Sequence, residues 1–444
     1  MNWDLLISDK RFGLEDYHNR QSETRSDFQR DYDRLVFSSP FRRLQNKTQV
    51  FPLPGSIFVH NRLTHSIEVA CVGRSLARVA VTELMRKYAN KPWREKLLNL
   101  PDIVAAACLA HDLGNPPFGH SGEKAISSFF SEGAGASLQH ELTAEQWSDL
   151  INFEGNANSF RQLTHQFKGR RPGGFAMTYS MLASIVKYPY ESGAAVHANK
   201  FGFFCTEKDD FKRIADELGI KRMARADGRM VYARHPLVYL VEAADDICYE
   251  VMDLEDAHKL KILSHGEVME LMLGFFDCER RKHMIEVMKG IDDPNEKVAY
   301  MRSCVIGRLV ECCANAFVEN EDAILAGEFS GCLLDKINRA EREAYEACDR
   351  VSWAKIYSAP DVVDIELAGN RIITFLMEKL VGAVRAPELN YSRLLLSKVP
   401  EQYDVHSSDL FTKVQAAVDH VASMTDVYAL DLYRRLNGQT LPAV

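Results

Sequence analysis

The sequence of 444 residues predicts an all-α fold, and three observations lead to this prediction. Apolar residues recur at three- and four-residue spacings in many long segments, as on the buried face of a helix. Start and stop signals such as an initial Pro and a terminal Gly flank some of these segments. Strand-like patterns are limited to residues 201–205 and 230–232, for which we expect a small β-hairpin beside the helical body.

The predicted helices follow one another along the whole chain, separated by loops. The clearest boundaries flank the third helix, which begins with Pro101 and stops at Gly114. A Pro- and Gly-containing loop at 51–55 follows the first helix, and Pro116 and Pro117 separate the third helix from the fourth. The predicted helices span residues 27–44, 63–85, 101–113, 122–130, 138–151, 175–187, 236–252, 262–289, 295–319, 335–357, 361–382 and 410–437.

The composition is that of an ordinary globular protein, with 46% hydrophobic and 26% charged residues. The net charge of −8 excludes the overall basic excess that favours non-specific attachment to nucleic acids or membranes. A polyanionic substrate therefore needs a locally basic pocket. Residues 1–6 lack the pattern of a secretion signal, and no apolar run is long enough for a membrane span. We expect a cytoplasmic protein without a membrane partner.

The ten cysteines are scattered, and no two of them have the Cys-x-x-Cys spacing of common metal sites. Several lie in apolar helical stretches, where free cysteine is usually a small buried hydrophobic residue. We expect them to be reduced and structural.

The most informative segment, residues 110–123, begins with an imidazole and a carboxylate side by side. His111 and Asp112 stand at the end of an apolar helix, just before the turn at Gly114, where both side chains can point at one ion. A His-Asp pair alone is common at surfaces and at helix ends, so this pair needs support from elsewhere in the chain.

Support comes from the preceding predicted helix, which has His65 near its start. Arg62 stands three residues earlier and therefore on the same helix face. A lone buried histidine is usually a core residue with an ordinary hydrogen bond. A buried histidine beside an arginine indicates instead a ligand close to an anion, because the planar guanidinium matches phosphate oxygens.

A third group of polar residues lies on the predicted helix at 236–252 and just beyond it. Asp245, Tyr249 and Asp253 are spaced four residues apart, so they lie on one stripe together with Glu242. Acids on an otherwise apolar helix need partners, and a metal ion with a polar ligand would supply them. A solvated acidic face is the alternative, which the interleaved apolar residues disfavour.

With these motifs, the sequence resembles the deoxyguanosine triphosphate triphosphohydrolases of the HD superfamily and their deoxynucleotide-hydrolysing relatives, over most of the chain. The family pattern is a His, a His-Asp pair and a distant Asp, which His65, His111, Asp112 and Asp245 match. Asn158 departs from the pattern, because the family would have Gln there. Further similar segments are Asn-Pro-Pro-Phe-Gly-His, Glu-Ala-Ala-Asp-Asp-Ile and residues 153–157, 187–189, 200–204 and 424–429.

The resemblance implies an HD-domain helical core with additional C-terminal helices. We therefore expect residues 1–255 to form an N-terminal region and the HD metal-binding core. Residues 256–444 would form a helical C-terminal region packed on that core, and the two would make one continuous body. The resemblance and the long apolar-patterned helices of the C-terminal half also predict a homo-oligomer.

The reaction that the resemblance implies is the hydrolysis of deoxynucleoside triphosphates (dNTPs), which would control dNTP pools. Water attacks the α-phosphorus and the 5′ oxygen departs, which gives a deoxynucleoside and inorganic triphosphate. The implied cofactor is a divalent metal ion, Mg²⁺ or Mn²⁺, and both suit a mixed set of His and carboxylate ligands. The matching residues imply that His65, His111, Asp112 and Asp245 hold it, with Asp246 in place of Asp245 if the register differs by one.

By the same resemblance, His120 is the catalytic histidine, either as a proton donor to the leaving oxygen or as a base toward water. Glu123 would orient its imidazole from the next helical turn. The alternative is that His120 only caps the helix that opens near Gly122.

The implied substrate contacts are polar side chains that suit either phosphate oxygens or a sugar. A Tyr ring beneath the deoxyribose would disfavour a 2′-hydroxyl by crowding. Arg42 and Arg43 suit a phosphate, a subunit interface or a structural ion pair. The substrate-binding candidates are Arg62, Asn115, Lys187 and Lys200 for phosphate oxygens, and Gln49, Tyr249 and Asp253 for the sugar.

Two other functions remain as alternatives. An HD-type 5′-nucleotidase or cyclic-nucleotide phosphodiesterase has the same metal set but no evident use for Arg62, Lys187, Tyr249 and Asp253. A non-catalytic nucleotide sensor or single-strand nucleic-acid binder would not need both the ligands and His120, all of which are present. A dNTP that acts as an activator is a further possible partner, on which the sequence does not decide.

Overall fold

The structure, a computed structural model, describes residues 1–16, 25–52, 58–194 and 199–441. Within these ranges the chain forms an almost entirely helical fold, which confirms the predicted class. The twenty α-helices of the described residues are α1 (Trp3–Leu6), α2 (Asp27–Val36), α3 (Ser39–Arg43), α4 (Arg62–Lys87), α5 (Leu100–Ala110), α6 (Gly119–Ser131), α7 (Ala144–Ile151), α8 (Gly155–Thr164), α9 (Tyr179–Ile185), α10 (Lys208–Glu217), α11 (Pro236–Lys259), α12 (His265–Leu273), α13 (Cys278–Met288), α14 (Pro294–Glu319), α15 (Glu321–Ala326), α16 (Arg339–Val351), α17 (Pro360–Arg385), α18 (Asn390–Leu396), α19 (Leu410–Ala422) and α20 (Asp426–Leu436).

Helix α5 lies in the interior of the larger of two apolar clusters. Every residue from Ile103 to Ala110 is buried, because α2, α4, α9 and α11 pack around the helix. Helix α14 covers α4 and α11 on another side. The His-Asp pair that follows Ala110 therefore starts inside the protein and not on its surface.

The second apolar cluster is built around α17, which packs against α6, α18, α19 and α20. Apolar side chains of α6 belong to this cluster, whereas those of α4, α5 and α11 belong to the first. The polar motifs found in the sequence therefore lie on helices from both clusters. The division of the chain at residue 255 stays a prediction, and that position lies within α11.

Two of the long predicted helices are each broken into a pair. The segment 262–289 forms α12 and α13, and the side chain of Asp277 accepts a hydrogen bond from the Arg280 N–H to start the second helix. The segment 410–437 forms α19 and α20, and the Thr425 side chain caps α20 in the same way by accepting from the Tyr428 N–H. In both cases a short polar residue at the N-cap satisfies a free backbone donor and so stabilises the break.

The predicted helix at 335–357 contains a wider turn at its end. Helix α16 ends at Val351, and the chain continues as a π-helix over Ser352–Ile356. The Ser352 hydroxyl donates to Glu250 over 2.8 Å, which ties this turn to the middle of α11. Such π turns are rare and occur mostly at functional sites.

The small β-hairpin is not confirmed. In the described residues, Phe203 forms a parallel bridge with Glu191, and Val231 forms an antiparallel bridge with Tyr190. The two predicted strands therefore both meet residues 190–191 and do not pair with each other. Helix α10 lies between them in the sequence, so no short turn joins them as a hairpin requires.

Three smaller expectations concern the rest of the chain. All ten cysteines are free thiols, as predicted. Residues 53–55 of the predicted loop at 51–55 lie outside the described residues. Among the described helices, none combines the length and apolar character that crossing a membrane requires.

Candidate functional site

Three helices bring two histidines and a carboxylate together. His65 lies near the start of α4, His111 directly follows α5, and Asp245 lies in the middle of α11. The Nε2 atom of His65 is 3.0 Å from Oδ1 of Asp245, and Nε2 of His111 is 3.4 Å from the same oxygen. Their ligand atoms all lie within 4.8 Å of one another, so one ion can contact all three.

The side chain of His111 is oriented as a metal ligand would be. Its Nδ1 atom donates to the backbone carbonyl of Cys108 over 2.6 Å, so the neutral form of this imidazole carries its lone pair on Nε2. That Nε2 atom is buried and has no hydrogen bond within the described residues. An unpartnered buried imidazole nitrogen beside a carboxylate fits a divalent metal ion, so the donor set present suits the implied cofactor.

Electrostatics at this cluster favour a cation. Burial alone would lower the pKa of His111, but the carboxylates of Asp112 and Asp245 outweigh it and raise this pKa to about 9. Burial alone would raise the pKa of Asp245, but His111 and His65 outweigh it and hold this pKa well below its usual range. Asp246, the alternative ligand, is not part of this His and Asp group.

Asp112 lies at the edge of the cluster, and its carboxylate also accepts hydrogen bonds from residues outside the cluster. Its Oδ1 atom is 3.6 Å from Nε2 of His111 and accepts a hydrogen bond from the Asn115 amide. Its Oδ2 atom accepts from the Arg62 guanidinium over 2.6 Å. Burial would raise the pKa of Asp112, but Arg62 and the two histidines hold it below its usual value, so the carboxylate stays ionised.

His120 and Glu123 form a second polar group on α6. The Nδ1 atom of His120 is 2.8 Å from Oε2 of Glu123, while Oε1 of Glu123 accepts from the buried Gly155 N–H over 2.8 Å. Burial would raise the pKa of Glu123, but the hydrogen bond from His120 outweighs it and lowers this pKa. Glu123 is therefore an ionised and fixed partner for an imidazole whose side chain is 73% exposed.

A glycine at the start of α6 lets the arginine of the cluster approach this helix. Gly119 has φ +57, and a Cβ atom at this position would lie 2.5 Å from a terminal nitrogen of Arg62. Any larger residue would displace the guanidinium or the backbone, because the conformation and the space both require glycine. Gly119 is therefore required by the backbone conformation and the space, whereas the chemical role is predicted for His120 next to it.

Both groups line one cavity of about 970 Å³. His111 and Asp245 of the His and Asp cluster form part of its wall, and so do Asp112, His120 and Glu123. His65 lies behind that wall, 2% exposed, and Arg42 and Arg43 are not part of it. The predicted substrate-binding residues in the wall are Gln49, Arg62, Asn115, Lys187, Lys200 and Tyr249.

Two lysines supply positive charge on the cavity wall. Lys187 Nζ lies 3.1 Å from Glu242, and Lys200 Nζ lies 2.6 Å from Glu154. Burial alone would lower the pKa of each ammonium group, but Glu242 raises that of Lys187 and Glu154 raises that of Lys200. Both lysines are therefore charged, and each is held by a carboxylate that also lines the cavity, Glu242 or Glu154.

Asp253 is the one predicted substrate residue that does not line the cavity. It is buried behind Tyr249, and its Oδ2 atom accepts from the Tyr357 hydroxyl over 2.9 Å. The ring of Tyr357 stacks on that of Tyr249, with centroids 5.8 Å apart. Tyr357 and Trp353 form part of the wall, and sequence reasoning missed both, although their four-residue spacing was visible.

Family models match two parts of the chain. The HD domain model matches residues 62–159, and the model named phosphohydrolase-associated domain matches residues 336–435. The first range contains both cluster histidines, Asp112, His120 and Glu123, although Asp245 lies outside it. Together with the His and Asp cluster in an all-helical fold, these matches define an HD-domain phosphohydrolase.

Curated relatives extend this result to the whole chain. A deoxyguanosinetriphosphate triphosphohydrolase-like protein of Synechocystis sp. is 35% identical over 99% of this chain and 100% of its own length. One from Listeria monocytogenes is 32% identical over 99% and 100%. A deoxyguanosinetriphosphate triphosphohydrolase of Yersinia pseudotuberculosis is 29% identical over 92% and 93%. The chain therefore belongs to the family of deoxyguanosinetriphosphate triphosphohydrolase-like proteins.

Proposed function

We propose that this protein hydrolyses deoxynucleoside triphosphates to a deoxynucleoside and inorganic triphosphate and so controls dNTP pools. The observation that carries the proposal is that one cavity is lined both by the His and Asp cluster and by the His120–Glu123 pair. A site of this kind provides a place for a metal ion and, separately, an imidazole for proton transfer. The names of the curated relatives support the nucleotide as substrate.

In this proposal, His65, His111, Asp112 and Asp245 hold the divalent ion. When bound, Mg²⁺ or Mn²⁺ would polarise a phosphoryl oxygen and lower the pKa of water. The protein itself binds the polyphosphate, because Arg62, Lys187 and Lys200 all stand on the same cavity wall. Asn115 would add an amide donor to the phosphate side.

His120 moves the proton. The Glu123 carboxylate accepts from its Nδ1 atom, so Nε2 remains for the 5′ oxygen that leaves or for the attacking water. Glu123 is itself held in place, because its second oxygen accepts from the buried Gly155 N–H. In this proposal, His120 therefore donates the proton while Glu123 holds its imidazole in place.

The sugar would lie against Tyr249 and Gln49. The Oε1 atom of Gln49 is buried without a hydrogen-bond partner in the described residues, so it remains for a hydroxyl donor. Asp253 would reach the sugar only after exchanging its bond to Tyr357 for one to the 3′-hydroxyl. We expect the stacked rings of Tyr249 and Tyr357 to crowd a 2′-hydroxyl, which would favour a deoxyribose.

An assay of the products tests the reaction. The protein is incubated in ¹⁸O-labelled water with Mn²⁺ or Mg²⁺ and dGTP, dGMP or a cyclic nucleotide, and the products are resolved by chromatography and mass spectrometry. We expect deoxyguanosine and intact triphosphate from dGTP, with the label in the triphosphate and none in the deoxynucleoside. Release of phosphate from dGMP alone, or opening of the cyclic nucleotide, would identify one of the alternative HD activities instead.

The base, the activator and the assembly can be tested in the same system. The four dNTPs, assayed singly and in pairs, show which base is preferred and whether one nucleotide activates the hydrolysis of another. We also propose a homo-oligomer, and light scattering at micromolar concentration should give a mass above the 50.3 kDa of one chain. A monomer would contradict this.

A further inference from the structure

A carboxylate from the C-terminal region contacts the loop that carries the proposed catalytic histidine. Asp426 is the first residue of α20 and is only 6% exposed. Its Oδ1 atom accepts a hydrogen bond from the Phe118 N–H over 3.0 Å, and its Oδ2 atom accepts from the Thr48 N–H over 2.7 Å. Phe118 stands two residues before His120.

This carboxylate does not serve its own helix. Thr425 caps α20, because its hydroxyl accepts from the Tyr428 N–H. Both oxygens of Asp426 are directed instead at backbone donors of two distant segments, and Thr48 and Phe118, which supply these donors, both line the cavity. Because both hydrogen bonds of Asp426 are made to residues outside α20, the carboxylate stabilises the position of those two segments and not the helix itself.

The contacted residue has an unusual backbone. Phe118 has φ 63, in the left-handed region, and precedes α6 at the N-cap without a side-chain hydrogen bond of its own. Bulky residues rarely adopt this conformation, which persists only where the surroundings enforce it. Gly369 of α17 also touches this residue, since a Cβ atom at 369 would lie 2.6 Å from the Phe118 Cβ atom.

Residues on either side of Phe118 are also connected to the C-terminal helices by hydrogen bonds. The Ser121 hydroxyl donates to the Glu366 carbonyl of α17 over 2.6 Å. The buried ammonium group of Lys47 donates to the carbonyls of Asn115 and, over 3.1 Å, of Ala422 at the end of α19. Helices α17, α19 and α20 therefore hold the segment around His120 from one side.

We propose that Asp426 is a positioning residue for His120, which it holds in place through the backbone of Phe118, so that the C-terminal region sets the geometry of proton transfer. The inference rests on the proposed role of His120 in catalysis. It assigns to the C-terminal region a part in the reaction, although that region supplies neither the metal cluster nor the imidazole. The mechanism is geometric, because a reacting group that is misplaced by about 1 Å can lose roughly 10²-fold in rate.

The test combines Asp426→Asn with His120→Ala in a double-mutant cycle. An amide has one acceptor oxygen, so Asp426→Asn keeps only one of the two backbone hydrogen bonds and turns an N–H₂ group toward the other donor. We expect the variant to lose roughly 10- to 100-fold in kcat, with Mn²⁺ affinity by calorimetry within twofold of the wild type. In the His120→Ala background, the same substitution should change the residual rate by less than twofold.

A matched control is Asp409→Asn. Asp409 caps α19 in the same region by accepting from the Thr412 N–H, is exposed, and is not part of the cavity wall. Because Asn is as good an N-cap as Asp, this variant should keep the wild-type kcat and Tm. If Asp426→Asn fails to fold, Gly369→Ala addresses the same loop from α17 and should show the same dependence on His120.

The outcomes separate the inference from the function on which it rests. A kcat of Asp426→Asn within threefold of the wild type, or an equal loss in the presence and absence of His120, overturns the inference alone. A His120→Ala variant with normal turnover overturns the catalytic role of His120 and the inference with it. Loss of rate only where His120 is present supports both.

Discussion

The substitution Glu123→Gln removes one of two acceptor oxygens that face two donors. We expect the remaining amide oxygen to accept from the buried Gly155 N–H, because leaving a buried donor without a partner costs more free energy than leaving an exposed one. The amide N–H₂ group then faces Nδ1 of His120, so the imidazole loses its acceptor and favours the other tautomer. We expect the metal cluster to be unaffected.

The size of the effect follows from the exposure of the partners. A hydrogen bond to a charged group contributes about 1.5–3 kcal/mol, which is roughly a 10- to 150-fold change in rate. The His120 side chain is 73% exposed, so water replaces part of the lost bond and the lower end of this range applies. We therefore expect kcat to fall roughly tenfold, against roughly 10²–10⁴ for His120→Ala.

The assay measures the initial rate of triphosphate release against dNTP concentration at saturating Mn²⁺, with Mn²⁺ affinity determined separately. Glu141→Gln is the control, because this exposed residue pairs only with Arg385 among the described residues and lies outside the cavity wall. A Glu123→Gln enzyme with unchanged kcat would refute the reasoning. So would a variant that loses its metal, because Glu123 would then support the cluster instead of His120.

Three further outcomes follow from buried charges. His111→Ala should abolish hydrolysis and Mn²⁺ binding together, since it removes a ligand atom, and a variant that keeps full metal occupancy and turnover would contradict the cluster. Arg161→Met should cost about 3–5 kcal/mol of unfolding free energy in denaturant titrations, because Asp419 and Glu207 then stay buried without their partner; a cost below about 1 kcal/mol would argue against this. Burial raises the pKa of Asp149 from 3.8 to about 7, so its stabilising contribution is present in acid and is lost as pH rises through 7. Asp149→Asn should therefore gain stability relative to the wild type between pH 3 and pH 8, by up to about 4 kcal/mol, and a difference that is constant with pH would contradict the shift.

The histidines of the His and Asp cluster could be predicted from the sequence because their signals are local. His111 and Asp112 are adjacent, and His65 has its arginine on the same helix face, so each motif can be recognised without knowledge of the fold. The distance between the motifs is then set by three helices packed in one core. The same local reasoning predicts most helices, which depend on apolar spacing and capping residues.

The position of Asp253 shows where spacing alone is insufficient. A step of four residues on an α-helix turns about 400°, so each step drifts about 40° from the first residue. Tyr249 is one step from Asp245 and still faces the cavity, whereas Asp253 is two steps away, about 80° around the helix, and meets Tyr357 instead. A spacing of four residues therefore predicts reliably that two residues share a helix face, but it is less reliable for a third residue one step further on.

Residues that act through tertiary contacts could not be predicted. Asp426 was visible only as part of a family-like segment, because its two backbone partners lie more than 300 residues away in the chain. The hairpin was not confirmed for a related reason. Each segment had a suitable composition, but its pairing partner was residues 190–191, which have no strong strand pattern of their own.

The π turn at Ser352–Ile356 makes one wall of the cavity depend on the number of residues in the chain as much as on their identity. A π turn holds one residue more than an α turn, so loss of any single residue in this segment would restore ordinary helical winding. With this extra residue in the turn, Ser352 at its start bonds Glu250, while Tyr357 directly after it stacks on Tyr249 and donates to Asp253. The length of this segment is therefore, together with the side chains of Tyr249 and Tyr357, a property that shapes the wall against which we propose the sugar lies.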